Sequence, residues 1–247
     1  MKTALLLSAM LSFSIGANAA SAPTTPHWSY EGSAGPEHWG ELSADFQTCH
    51  NGKFQSPIDI RNTIEGRLPP LRLEFHTAAE KLVNNGHTVQ VDVDDEDNFM
   101  LDGEIFRLKQ YHFHTPSENQ INSHAYPLEA HFVHTNADGE MAVIAVMFEV
   151  GKENSALNPL IAAMPKQENQ AVEVKQRMDL TPLFPTDRHY YRFSGSLTTP
   201  PCTEGLRWLV MKQPVTLSQS QLQAFQQALK NANNRPLQPL HGRLIVE

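Results

Sequence analysis

The residues of this 247-residue chain best suited to chemistry are its histidines, 12 of them against 2 cysteines. Two stand in His112-Phe113-His114. If that segment is extended, positions i and i+2 point to one side, so both imidazoles reach a single point in space. Alone, such a pair is equally a feature of any polar sheet face. The stretch Leu128-Glu129-Ala130-His131-Phe132-Val133-His134 offers a third imidazole on either face. His131 shares its side with Glu129 and Val133, while His134 points the other way. Glu129 chooses between them, because a metal-bound histidine usually donates its second ring N–H to a carboxylate or carbonyl. Gln110 stands in the same relation to His112. We therefore expect His112, His114 and His131 to form one ligand set, with Gln110 and Glu129 as their outer partners. His134 is expected to be a buried structural residue. Three neutral imidazoles hold a zinc ion without cancelling its charge. They leave its fourth position open to a water whose pKa falls to about 7 in such a site. Histidine ligands and metal availability favour zinc, one ion per chain, over cobalt or iron.

Strands must position these side chains. Residues 105–114 read as one, with Phe106, Leu108, Gln110, His112 and His114 on a common face. Two more are expected over 128–134 and 141–150, the latter so continuously apolar that both its faces should be buried. Val89, Val91 and Val93 alternate with polar residues ahead of Asp94-Asp95-Glu96-Asp97-Asn98. That acidic run lacks the ligand spacing of a calcium loop and reads as a solvated hairpin tip. One helix stands out near the end. Ser218 and Gln221 can form its capping box, Leu222, Phe225 and Leu229 its apolar stripe, and its many glutamines its wet face. The 17 prolines imply irregular connections. The expected fold is mainly β (α+β): a single domain over 27–247 with a large, mostly antiparallel, twisted central sheet and small peripheral helices.

Residues 1–19 read as a cleaved signal peptide: Lys2, an uncharged apolar stretch, then Ala17-Asn18-Ala19. The stretch is too short for a membrane anchor, and residues 20–26 read as a linker. In an oxidising compartment Cys49 and Cys202 are expected to pair. Two cysteines and no Cys-x-x-Cys exclude a Cys₄ zinc ribbon. With 27 acidic against 19 basic residues, net −8, nucleic acid is not an expected partner.

Gln110-Tyr111-His112-Phe113-His114, followed by Glu129-x-His131-x-Val133-His134, resembles the core of the alpha-class carbonic anhydrases. Further segments agree in order: His27-Trp28-Ser29-Tyr30, Gly35-Pro36-Glu37-His38-Trp39, Gln55-Ser56-Pro57-Ile58-Asp59-Ile60, Asn84-Asn85-Gly86-His87, Ser196-Leu197-Thr198-Thr199-Pro200-Pro201-Cys202 and Asn233-Asn234-Arg235-Pro236. The resemblance implies reversible hydration of carbon dioxide to bicarbonate. It places Thr198 beside the zinc-bound hydroxide, its own proton donated to Glu118, and makes His87 the proton shuttle. Val133, Val143, Leu197 and Trp208 become the apolar substrate wall, with Thr199 also against the substrate. Tyr30, Asn85, Gln90 and Thr199 become the polar side that carries protons toward His87. Gln90 stands where many relatives have asparagine, Thr115 where animal members usually have tryptophan, and Tyr111 replaces a common phenylalanine. These departures suit a bacterial, periplasmic member. A non-catalytic binding protein on this fold would usually lack one of the three histidines. A dedicated zinc esterase has no readable ester pocket, though weak side esterase activity is expected. There is no Gly-x-Ser-x-Gly elbow for serine chemistry, and the oligomeric state is open.

Overall fold

The computed structural model describes residues 26–75, 78–94 and 97–247. The expected signal peptide, nearly all of the linker and the centre of the acidic run lie outside the described residues. Among the described residues, no helix is long and apolar enough to cross a membrane.

Among the described residues, twelve strands follow one another in the order β1 (Asp59–Ile60), β2 (Ala78–Asn84), β3 (Val89–Val93), β4 (Asn98–Leu101), β5 (Glu104–His114), β6 (Gln120–Ile121), β7 (Leu128–Thr135), β8 (Met141–Val150), β9 (Gln170–Arg177), β10 (Tyr190–Ser196), β11 (Glu204–Met211) and β12 (Val215–Leu217). Four short α-helices accompany them: α1 (Trp39–Leu42), α2 (Thr48–Asn51), α3 (Leu157–Ala163) and α4 (Gln219–Leu229). Ten strands form one sheet whose main path runs β10-β11-β8-β7-β5-β3-β2-β9, while β4 adds to β5 and β12 to β8. Pairing is antiparallel except where β8 meets β11 and β12. The sheet is thus mixed, but predominantly antiparallel.

Strand β8 explains its own apolar run. Ala142, Ile144, Val146 and Phe148 enter one core, and Val143, Ala145 and Met147 the other. A strand buried on both faces has no wet side on which to place polar residues. Helix α4 packs on the first core through Leu222 and Phe225, the latter ring 4.6 Å from Phe113. Its capping box forms as expected, Ser218 accepting from the Gln221 N–H and Gln221 from the Ser218 N–H. Gln221 is not part of a wet face, however. It is buried, accepting from Asn154 N–H and donating to Asn154 O and Asn158 Oδ1.

Strand β5 departs from simple alternation. Leu108 pairs with His134 but Gln110 with Val133, a register shift that leaves Lys109 extra. This bulge reverses the side-chain parity. Phe106 and Leu108 therefore lie in the core with Tyr111 and Phe113, not on the face of Gln110, His112 and His114. The acidic run also differs from expectation, since Asp97 is buried and its carbonyl accepts from Leu108 N–H.

Candidate metal centre

Beyond the bulge, β5 aims His112 and His114 at the same side, and β7 sets His131 directly opposite His112. The three ring centroids stand 4.5–5.3 Å apart. One nitrogen from each lies within 4.8 Å of the other two. The remaining nitrogen of each ring is held from outside. Gln110 Oε1 sits 2.8 Å from His112 Nδ1, and the Asn233 carbonyl 2.7 Å from His114 Nδ1. Glu129 Oε1 is 3.0 Å from His131 Nε2, in contact though not aligned as a hydrogen bond. These contacts leave Nε2 of His112 and His114 and Nδ1 of His131 facing inward.

The electrostatics suit a cation. Burial, then the neighbouring imidazoles, holds His112 and His131 well below the ordinary histidine pKa, and burial lowers His114 too. All three are therefore neutral, the form that ligates metal. His114 Nε2 is buried and has no hydrogen-bond partner among the described residues. A buried orphan nitrogen is costly unless something else, such as a metal ion, satisfies it. This donor set fits zinc.

Glu118 stands beside the cluster, its Oε2 3.5 Å from His114 Nε2 and 3.9 Å from His131 Nδ1. Burial pushes its carboxyl up to about 8, against the Arg235 N–H and the Thr198 hydroxyl, which favour the charged form. Arg235 N–H donates to Glu118 Oε1 at 2.9 Å. Glu129 fixes the backbone here, accepting from Glu118 N–H (2.7 Å), Asn119 N–H (2.9 Å) and the Asn119 amide (2.8 Å). One buried carboxylate thus serves both His131 and the Glu118 segment.

Thr198 arrives on the loop between β10 and β11. That loop is closed by Leu197 N–H to Thr203 O and Cys202 N–H to Thr199 O. The Cys49–Cys202 disulfide spans 153 residues and ties the loop to α2. Gln55 donates to the Cys202 carbonyl, and the buried Arg235 guanidinium to Cys49 O, Gln55 Oε1 and Ser56 O. At Gly195 any Cβ would meet Ser56 Oγ at 2.2 Å and Trp208 Cδ1 at 2.8 Å, so the strand reaches the loop only as glycine.

The histidines lie in a cavity of about 160 Å³ with two unlike walls. Val133, Val143, Leu197 and Trp208 form the apolar one, Trp208 edge-on to His131 at 4.9 Å. Tyr30, Asn85, Gln90 and Thr199 line the polar one. Burial, then Glu118, pushes the Tyr30 hydroxyl well up, so it stays protonated. Gln90 donates to Asp92 at 2.6 Å, and Asn85 Oδ1 accepts from His87 and Thr88 N–H. Both amides are therefore partly occupied in shaping the wall. His87 sits at the mouth, half-buried and stacked on Trp28 at 3.8 Å with an 11° tilt. His134 is buried far from this face, against Phe99, with Nδ1 on the Phe132 carbonyl.

The profile of the eukaryotic-type carbonic anhydrases matches residues 34–247. The chain belongs to the alpha carbonic anhydrase family. It is 48% identical to a carbonic anhydrase of Pectobacterium carotovorum over the full length of both chains. The solved alpha-carbonic anhydrase of Thermovibrio ammonificans is 46% identical with a TM-score of 0.88, covering 91% of this chain and 100% of that one. That of Photobacterium profundum is 50% identical with a TM-score of 0.84, covering 90% and 100%.

Seen as an alpha carbonic anhydrase, the chain contains supporting residues that the sequence analysis had not assigned. Asn233 bonds His114 through its carbonyl, while its side chain accepts from Thr115 N–H and donates to the Phe113 and His87 carbonyls. Arg235, Asn119 and Trp28 are the others. Asn233, Arg235 and Trp28 lie in family segments, but their contacts are long-range or made by the backbone. Residue type carries no signal for such contacts.

Proposed function

We infer that this chain is a zinc-dependent carbonic anhydrase that interconverts carbon dioxide and bicarbonate, exported to the periplasm. The observation that carries the reading is three neutral imidazoles, His114 and His131 buried and His112 partly so, converging beside Glu118 in a pocket with one apolar and one polar wall. When bound, zinc acidifies water so that a nucleophile is available near neutral pH. His112, His114 and His131 would hold it, oriented by Gln110, the Asn233 carbonyl and Glu129. Beside a cation the ionised form of Glu118 is favoured. Glu118 can then accept a hydrogen bond from the Thr198 hydroxyl, leaving the Thr198 oxygen to accept one from the nucleophile and aim it, a positioning effect. Carbon dioxide, small and apolar, suits the wall of Val133, Val143, Leu197 and Trp208, with Thr199 opposite. Protons leave along the Tyr30, Asn85 and Gln90 side to His87, a group of the type that titrates near neutrality.

A binding module without catalysis would not need every ligand and Glu118 in place. An extracytoplasmic address agrees with the disulfide and with bacterial relatives over the full chain. The deciding experiment is metal analysis coupled to a carbon dioxide hydration assay before and after chelation. Stoichiometric zinc with a rate lost on chelation and restored by zinc is expected; no zinc-dependent rate overturns the reading.

A further inference from the structure

A second cavity, of about 280 Å³, lies outside the turn Asn85-Gly86-His87, and His87 lines both this cavity and the metal pocket. Trp28 and Tyr30 line both as well, so His87 stands with them between the two. On the outer side three separate elements meet. Glu168 comes from the segment before β9, Lys230 follows α4, and His27 comes from the N-terminal segment. Lys230 Nζ holds Glu168 Oε1 at 2.9 Å. The other carboxylate oxygen lies against the turn, 3.8 Å from where a Cβ on Gly86 would stand. Gly86 has φ +84°, a left-handed conformation that leaves the approach to the turn open.

We propose that Glu168, anchored by Lys230, is a positioning residue for proton exit, its carboxylate supplying the counter-charge that stabilises protonated His87 at the mouth of the pocket. The proposal rests on the reading of His87 as the shuttle. A proton acceptor works best when its own affinity lies near the working pH. Two influences pull His87 away from that range, burial first and then His27, whose ring centroid is 6.3 Å away. Glu168 acts in the opposite direction. The other titratable groups around the ring are Tyr30, Glu31 and Lys230 in the outer cavity and the three ligand histidines in the inner one. Lys230 has two effects: it fixes the carboxylate in place and withdraws part of its field.

NMR titration of the histidine ring protons in the zinc-loaded protein tests this, the His87 resonance being assigned by its disappearance in His87→Ala. Glu168→Gln should lower the His87 midpoint by about half a pH unit at low ionic strength, the size of one unscreened charge several ångströms away in water. The shift should shrink at high salt. Glu168→Asp should recover most of the wild-type value. An unmoved or raised midpoint in Glu168→Gln overturns the proposal. Low-buffer hydration rates measured across pH should follow the midpoint. Should the midpoint move as expected while His87→Ala leaves those rates intact, the counter-charge stands and the shuttle assignment falls.

Discussion

The floor of the pocket lies on two adjacent antiparallel strands, whereas its mouth lies on a three-residue turn. On the floor His112, His114 and His131 have their outer nitrogens held by Gln110, Asn233 and Glu129, and His114 and His131 are buried. At the mouth the His87 backbone is held by Asn85 and Asn233, and its ring rests on the face of Trp28. A ligand must be held to a fraction of an ångström, which ladder hydrogen bonds and a second layer of polar partners provide. A group that collects a proton on one side and releases it on the other is better held by its ring face than by its nitrogens. The same side chain is thus fixed by different means according to what it must do.

The sharpest way to break the contrast is to remove a floor histidine. His131→Ala should abolish stoichiometric zinc and with it zinc-dependent hydration, read by metal analysis and assay on one preparation. Next comes the layer behind. Glu129→Ala should weaken zinc affinity about 10–100-fold. It also strands the Glu118 and Asn119 N–H groups, each worth about 1–3 kcal/mol when buried unpaired, so chemical denaturation should show a clear loss of stability. A retained affinity would mean that Glu129 is not a partner of the ligand.

The mouth should respond differently. His87→Ala should slow turnover on the order of tenfold or more in dilute buffer and recover on adding imidazole. Its zinc content and denaturation midpoint should stay close to wild type. A rate that does not recover would mean the ring does more than carry protons.

A smaller effect is expected at the histidine that the metal never meets. Burial lowers His134 to about 4, below its unfolded value of about 6.5. Between those values the unfolded chain binds the extra proton, so this contribution to stability is complete above about pH 6.5 and is lost as pH falls toward 4. Denaturation at pH 7 and pH 5 should show the wild type losing roughly 2 kcal/mol more than His134→Asn over that step. Equal losses in both would mean that His134 is not held neutral.

Much of the floor was legible because it rests on local periodicity. A two-residue repeat placed His112 with His114, and Glu129 with His131, whatever the rest of the chain does. The same rule failed just before His112 on β5, where the bulge at Lys109 exchanges the faces and sends Phe106 and Leu108 into the core. A bulge is set by how two strands fit, and neither strand's own sequence declares it. Gln221 was misread for a related reason, since only the approach of α4 to Asn154 makes its amide a buried one.

Sequence alone determined the ligand types, their parity on the two strands, the carboxylate that selects His131 over His134, the capping box of α4 and the family. Those features depend on neighbours within a few residues or on motifs in order. Tertiary structure alone decided that Asn233 offers its carbonyl to His114, that Arg235 reaches both Glu118 and the disulfide segment, and that Trp28 seats His87. It also brought Glu168 to the outer side of the turn. Those contacts join positions up to 186 residues apart, and their chemistry comes from backbone groups and ring faces present in every chain. Only the folded arrangement can assign them a place.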